Sequence, residues 1–335
     1  CPPNALYRNR GDGTFEDVSH KSGIAGESNG ALGVSTADFN GDGWIDIYVA
    51  NDKRPNHLWI NQKNGRFKND ALGAGCAVSG EGFAESSMGV DAGDMDNDGD
   101  EDLFITHMSL NEKNTLYINS GGGSFEDVSY PSGLALPSIV FTGFGTAFLD
   151  YDNDGLQDIL AANGHVKSIE ARVKAGDPYP LRQTNQLFRN LGKGKFLEVT
   201  ELAGAAFRLS EVSRGAAFGD VDNDGDTDVL LLNNSGRARL LVNRVCTGNH
   251  WLGLKLVGEV SGRDMLGTRV AVVQAQGPTL WRRARADGSY ASANDPRVLV
   301  GLGGATRVEA VQVYWPDGQA EEWKEVPINI YTTLR

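Results

Sequence analysis

One nine-residue string occurs four times in this chain, as DFNGDGWID (38 to 46), DMDNDGDED (94 to 102), DYDNDGLQD (150 to 158) and DVDNDGDTD (220 to 228). Each copy reads D-x-[DN]-x-D-G-x-x-D. The pattern offers side-chain oxygens at position 1 (Asp38, Asp94, Asp150, Asp220), position 3 (Asn40, Asp96, Asp152, Asp222), position 5 (Asp42, Asp98, Asp154, Asp224) and position 9 (Asp46, Asp102, Asp158, Asp228). Position 7 (Trp44, Asp100, Leu156, Asp226) is left to offer its carbonyl, and the glycine at position 6 allows the sharp turn that converges the set. Oxygen-only donors in a flexible loop suit calcium, so four Ca²⁺ sites are expected. Two carboxylates about 4 Å apart repel by roughly 4 kcal/mol at an effective dielectric near 20, so a cation is needed to hold three or four together.

A single string of this kind also reads as an Asx-rich surface turn. Register argues otherwise: the first aspartates are spaced by 56, 56 and 70 residues, and each loop holds the same place in a longer repeat. After each loop comes a short apolar run (IDIYVAND, DLFITH, DILAANG, DVLLLNN) that reads as a strand. An N-x-L-aromatic-x-N segment follows (NHLWIN, NTLYIN, NQLFRN), with an earlier copy at NALYRN (4 to 9) and a degenerate one at ARLLVN (238 to 243). A Gly-rich turn then leads to a strand with one phenylalanine, and a Gly/Ala-rich strand runs into the next loop. Four short strands per 50 to 70 residues without helical periodicity describe a blade of an all-β propeller. Phe15, Phe67, Phe125 and Phe196, with Tyr7, Trp59, Tyr117 and Phe188, are expected to pack between blades.

The loops, the strands after them and Gly-rich strands such as FGTAF (144 to 148) resemble the FG-GAP or VCBS repeats of integrin-α-type propellers. The resemblance runs from residue 4 to about 243, and it implies calcium on each blade's first hairpin and about seven blades in a full-length protein. NHWLGLKLVG, SGRDMLGTRV, GSYASANDPRVLVGLG and VQVYWPDG resemble the ASPIC/UnbV domain that follows such repeats in bacterial surface proteins and in cartilage acidic protein. Met265-Leu266 depart from that pattern, in place of Gly-Ile. The expected organisation is propeller repeats over 1–248, four blades full and others partial, and a small β-rich domain over 249–335. The chain opens inside a blade, which favours truncation over a half-blade completed by the C-terminal strands.

The net charge of −13 is largely the 15 carboxylates at the loop positions; four divalent ions would raise it to −5. Such a balance argues against nucleic acid or an anionic membrane as partner, and no apolar run reaches the length of a membrane span. Loops of this type fill at about 10⁻⁴ to 10⁻³ M calcium, which points to an extracellular, cell-surface or periplasmic setting. Of the three cysteines, Cys1 and Cys76 could bridge, Cys1 could carry a lipid, or all could be free thiols.

Two segments are candidate contact surfaces. The insertion 163–184, locally basic through His165, Lys167, Arg172, Lys174 and Arg182, is a protein- or glycan-contacting loop or a solvated insertion with a short helix. The second is the Gly-rich stretch 71–87. Arg282, Arg283 and Arg285 alternate along one strand and its turn, which reads as a solvated, salt-bridged sheet face or, alternatively, one that engages an acidic ligand. The five histidines lack ligand spacing, and G-x-S-x-G, H-E-x-x-H, P-loop and G-x-G-x-x-G motifs are absent. The function expected is a non-catalytic protein- or glycan-binding module of a surface assembly. The rivals are a lyase or hydrolase with its site over the propeller channel, and a purely architectural subunit.

Overall fold

The computed structural model describes residues 3–27, 30–108, 112–168 and 170–335. The chain folds as consecutive antiparallel β-propeller blades followed by two further sheets. The first complete blade runs from inner to outer strand as Ala31–Ala37, Asp46–Asn51, His57–Asn61 and Phe67–Asn69. The second is Ser87–Gly93, Asp102–His107, Thr115–Asn119 and Phe125–Asp127, and the third Gly143–Leu149, Asp158–Asn163, Gln186–Asn190 and Phe196–Glu198. Each Asp-rich loop joins a blade's first two strands, as expected from its place in the repeat.

The fourth blade differs from the expected complete one. It has three strands among the described residues, Ser213–Gly219, Asp228–Asn233 and Arg239–Leu241. The degenerate ARLLVN copy is followed by RVCTGNHW, which lacks the Gly-rich turn and phenylalanine strand of the other repeats. Ahead of the complete blades, Tyr7–Asn9 pairs with Phe15–Asp17 as a two-stranded sheet.

Glycine in each inner strand sets how close the blades come. A Cβ on Gly89 would lie 1.9 Å from the carbonyl oxygen of Phe144 in the next inner strand, and one on Gly33 would lie 2.5 Å from that of Met88. The aromatic residues pack outside this crowded ring: Trp59, Tyr117, Phe125, Phe188 and Phe196 are buried, and Phe39 meets Phe125 edge-on at 6.0 Å. Phe67 is half-buried. Tyr7 and Phe15 do not join that packing, because they sit at 59% and 61% exposure on the two-stranded sheet, whose core contact is Leu6 against Ile24, Val49 and Trp59.

Between His250 and Leu334 lie a sheet of Val298–Gly303, His250–Leu256 and Tyr331–Leu334, and a sheet of Leu280–Arg283, Arg269–Val273, Ala310–Tyr314 and Ala320–Trp323. Their alternating leucines and valines form a core of their own, including Leu252, Leu254, Val270, Val272, Val300, Val311 and Val313. Segment 284–297 leaves this domain and threads along the propeller's inner strands: Asp287 accepts from Thr36 N–H, Ser289 donates to the Ala216 carbonyl at 2.7 Å, and Asn294 accepts from Phe218 N–H at 3.1 Å.

Insertion 163–184 carries a short helix, Glu170–Lys174, and is tied to itself by Arg172 on Asp177 (2.7 Å) and Arg182 stacked 3.6 Å over Tyr179. Stretch 71–87 packs between blades. Cys76 is buried there, and the Tyr48 and Tyr117 hydroxyls donate to the Cys76 and Val78 carbonyls, each at 2.7 Å. Cys76 and Cys246 are free thiols; the bridge or lipid considered for Cys1 lies outside the described residues.

Candidate metal centres

Backbone donors aim the loop carboxylates in the same way in all four copies. The position 1 aspartate accepts from the N–H groups of positions 5 and 6 at 2.8 to 3.2 Å, which curls the loop around it. That curl needs the left-handed φ of Gly43, Gly99, Gly155 and Gly225, +85° to +99°. The position 5 carboxylate accepts from the position 7 N–H. The position 9 carboxylate accepts from the position 2 N–H with one oxygen and, with the other, from the N–H of the final asparagine of N-x-L-aromatic-x-N.

Three of the four loops gather positions 1, 3 and 9 into one group. Asp94, Asp96 and Asp102 place a carboxylate oxygen each within 4.8 Å of one another; so do Asp150, Asp152 and Asp158, and Asp220, Asp222 and Asp228. The position 5 residues Asp98, Asp154 and Asp224 stand outside these groups, and Asp154 also binds Arg189 at 3.2 Å. Loop 38–46 forms no such three-acid group among the described residues, since Asn40 takes position 3 and Asp42 pairs with Lys63 at 3.4 Å.

Burial raises the cost of this charge. It pushes Asp94 and Asp150 up to about 7 and Asp158 up to about 9; the Arg282 guanidinium opposes the rise at Asp94 and Asp150, backbone N–H donors oppose it in all three, and neighbouring carboxylates add to it. Asp46 rises to about 6 for the same leading reason, and Asp102 well above the usual carboxylate range. In the third loop the buried Asp152 Oδ1 has no hydrogen-bond partner. Arg189 pairs with the other oxygen of Asp152 at 2.9 Å, and one guanidinium shared among Asp150, Asp152 and Asp158 leaves a net negative group with an unbonded oxygen, which fits a hard cation.

The asparagine that closes the N-x-L-aromatic-x-N segment in the second, third and fourth blades stitches blade to blade, a role the sequence did not reveal, whereas Asn61 of the first donates to the Ile45 carbonyl of its own blade. Asn119 Nδ2 donates to the Phe39 carbonyl in the previous blade's loop at 2.9 Å, Asn190 to Met95 at 2.9 Å and Asn243 to Tyr151 at 2.8 Å. A second stitch comes from position 4: Asn97 reaches the Gly155 carbonyl and Asn153 that of Gly225. The first loop has Gly41 at that position, and the corresponding acceptor, the Gly99 carbonyl, is bound by Arg269 of the C-terminal domain.

The arginine run is not a solvated face. Arg282 and Arg283 are more than nine-tenths buried against the loops, Arg283 bonds Glu101 at 3.2 Å, and Arg285 forms a two-point ion pair with fully buried Asp91. Strand alternation distinguishes two faces; here the neighbour on the second face is another domain.

Residues 3–49, 38–105, 94–161 and 176–231 match the FG-GAP-like repeat, and residues 258–335 match the ASPIC and UnbV domain. Cartilage acidic protein 1 of Mus musculus is 27% identical over 326 residues, covering 95% of this chain and 46% of that protein. The Homo sapiens protein is 27% identical over 95% of this chain and 45% of its own length, and that of Xenopus tropicalis 30% identical over 48% and 25%. The chain thus spans less than half the length of these relatives. Distant likenesses among solved structures include an Agrocybe aegerita lectin described as recognising non-reducing terminal N-acetylglucosamine (17% identity, TM-score 0.39, 72% of this chain and 60% of that one). The Dos1 propeller (10%, 0.36, 97% and 72%) and the V. cholerae biofilm matrix protein Bap1 (12%, 0.32, 97% and 59%) are others. With repeats matched along most of its length and the second domain after them, the chain belongs to the FG-GAP-like repeat family and carries an ASPIC and UnbV domain.

Proposed function

We propose that this chain is a calcium-binding, exported β-propeller, residues 1–248, with an appended domain, 249–335, acting as a non-catalytic protein- or glycan-binding module of a surface or extracellular assembly. The observation that carries the calcium reading is the set of three carboxylate groups at equivalent loop positions, one of them (Asp150, Asp152, Asp158) buried throughout and holding an oxygen without a hydrogen-bond partner. Donors at positions 1, 3, 5 and 9 with the position 7 carbonyl would hold one ion per loop and leave it no open catalytic position. The name of the matched relatives supports a setting outside the cell, where calcium is plentiful, and no helix among the described residues is long and apolar enough to cross a membrane. A binding role rather than turnover is supported at the channel, where Arg285 neutralises Asp91 and segment 284–297 fills the space beside the inner strands.

Isothermal titration and native mass spectrometry test the metal reading. Up to four calcium ions are expected, the first loop weakest because it has one carboxylate fewer, and Asp158→Asn is expected to remove one ion. No uptake at millimolar calcium would reject the reading.

Affinity should also depend on pH. Because burial raises the folded-state values of Asp94, Asp150 and Asp158, the ion-free loops hold protons that unfolded aspartates release above about 3.9. An entering cation must expel those protons, so the dissociation constant should rise as pH falls from 8 to 6, with proton release visible in buffers of different ionisation enthalpy. The ion-free protein should show the reverse trend, losing stability as pH climbs from about 4 through 9.

A further inference from the structure

The C-terminal domain sits on the face that carries the Asp-rich loops, and it touches them in an orderly way. Arg269 donates to the Gly99 carbonyl; Arg282 donates to Asn97 Oδ1 and the Gly155 carbonyl, both at 3.0 Å; Arg297 donates to Asn223 Oδ1 and, at 2.6 Å, to the Asp220 carbonyl. Trp281 lies over Gly99, where an added Cβ would come within 3.3 Å of its ring nitrogen, and Trp251 closes on Gly225 so tightly that a Cβ there would fall 2.0 Å from it. The contact follows the loops' outer backbone.

Where the arginines place their hydrogen bonds is as informative. Among the described residues, none of Arg269, Arg282, Arg283, Arg285 and Arg297 bonds a carboxylate at loop positions 1, 3, 5 or 9. Arg283 and Arg285 take Glu101 and Asp91, which lie outside the donor set, and Arg297 takes Asp295 of its own domain. Tyr331 donates its hydroxyl to Asp220 Oδ2 at 2.9 Å, and Arg282 acts on Asp94 and Asp150 by charge without a hydrogen bond to either. Guanidinium groups beside clustered carboxylates would ordinarily pair with them. Here they grip neutral acceptors, carbonyls and asparagine amides, whose positions exist only while the loops are curled.

We propose that the loop-bearing face is a cation-dependent docking surface for the chain's own C-terminal domain: filled loops hold the acceptors that Arg269, Arg282 and Arg297 grip, and emptied loops release residues 249–335. This rests on the calcium reading above. Carboxylates within 4.8 Å strain an ion-free loop, and its opening scatters the gripped carbonyls and the left-handed asparagines Asn97 and Asn223 (φ +60° and +61°). Release withdraws segment 284–297 from the inner strands as well, exposing the Thr36, Asp91, Thr146 and Phe218 stretch to a partner from outside. Simple charge attraction predicts the opposite, since emptying the loops would leave carboxylates drawing the arginines closer.

Hydrogen–deuterium exchange on the full chain, with calcium and with EGTA, separates these outcomes, with ion stoichiometry measured on the same samples. Peptides covering 284–297 should exchange at least tenfold faster in EGTA, while the domain's own core strands, Leu252–Leu256 and Val311–Val313, keep their protection. Arg297→Met, a partly exposed site, should speed 284–297 exchange in calcium without changing the number of ions bound. Unchanged or stronger protection of 284–297 in protein shown to have lost its ions overturns the proposal, as does loss of core protection in step with it. If no calcium binds at all, it is the calcium reading that fails.

Discussion

Stripping divalent ions with EGTA is expected to lower the unfolding midpoint by about 8 °C relative to the same protein in 1 mM calcium. An ion that binds the folded state alone stabilises it by RT ln(1 + [L]/Kd). A dissociation constant of about 10⁻⁴ M, ordinary for extracellular sites, gives about 1.4 kcal/mol per loop and about 6 kcal/mol over four. For a chain of this length, unfolding entropy near 2 cal/mol/K per residue converts that to roughly 8 °C. The loss should be steeper at pH 8 than at pH 6, because protons partly substitute for the ion at Asp150 and Asp158. A calorimetric scan that returns the same midpoint with and without chelator would show that the acid clusters hold together by other means.

The second large effect is expected at Arg285. Its guanidinium meets both oxygens of Asp91, which is fully buried and also accepts from the Phe148 N–H at 2.8 Å. Burial alone raises Asp91 above its ordinary range, even though Arg285 pulls it down. Arg285→Ala therefore leaves a carboxylate in a dry site without its counter-ion, and a loss of about 3 to 5 kcal/mol in urea unfolding is expected. Arg285→Lys should recover only part, since an ammonium cannot meet both oxygens. Removing the charge as well, in Asp91→Asn with Arg285→Gln, should recover more than either single change. A loss under about 1 kcal/mol for Arg285→Ala would mean that water reaches Asp91.

Fold and loops were legible in the sequence for a shared reason: everything that defines them is local. A nine-residue loop contains its own donors, its own glycine and the backbone N–H groups that aim them, so its spelling is enough. Strand order within a blade follows from pairing of consecutive strands as antiparallel hairpins, even where insertion 163–184 lengthens one connection. What stayed hidden spans distance. Asn190 looked like part of a strand motif, yet its amide bonds Met95, 95 residues earlier, and nothing near it in the chain signals that partner. The arginine run was misread because period-two alternation marks a second face without saying what covers it. A clue did exist: Trp281 stands beside Arg282 and Arg283, and three such large side chains in succession suit a dry neighbour better than water. Tyr7 and Phe15 failed in the other direction, since matching a buried pattern does not place a neighbour against them.

Gly41 has one more consequence. Between the second and third blades, and between the third and fourth, two asparagine links join the loops directly. Among the described residues the first and second blades have one such asparagine link, from Asn119, and the Gly99 carbonyl is taken instead by Arg269 of the C-terminal domain. Under mechanical load this seam, one asparagine link short of the other two, is expected to open before them.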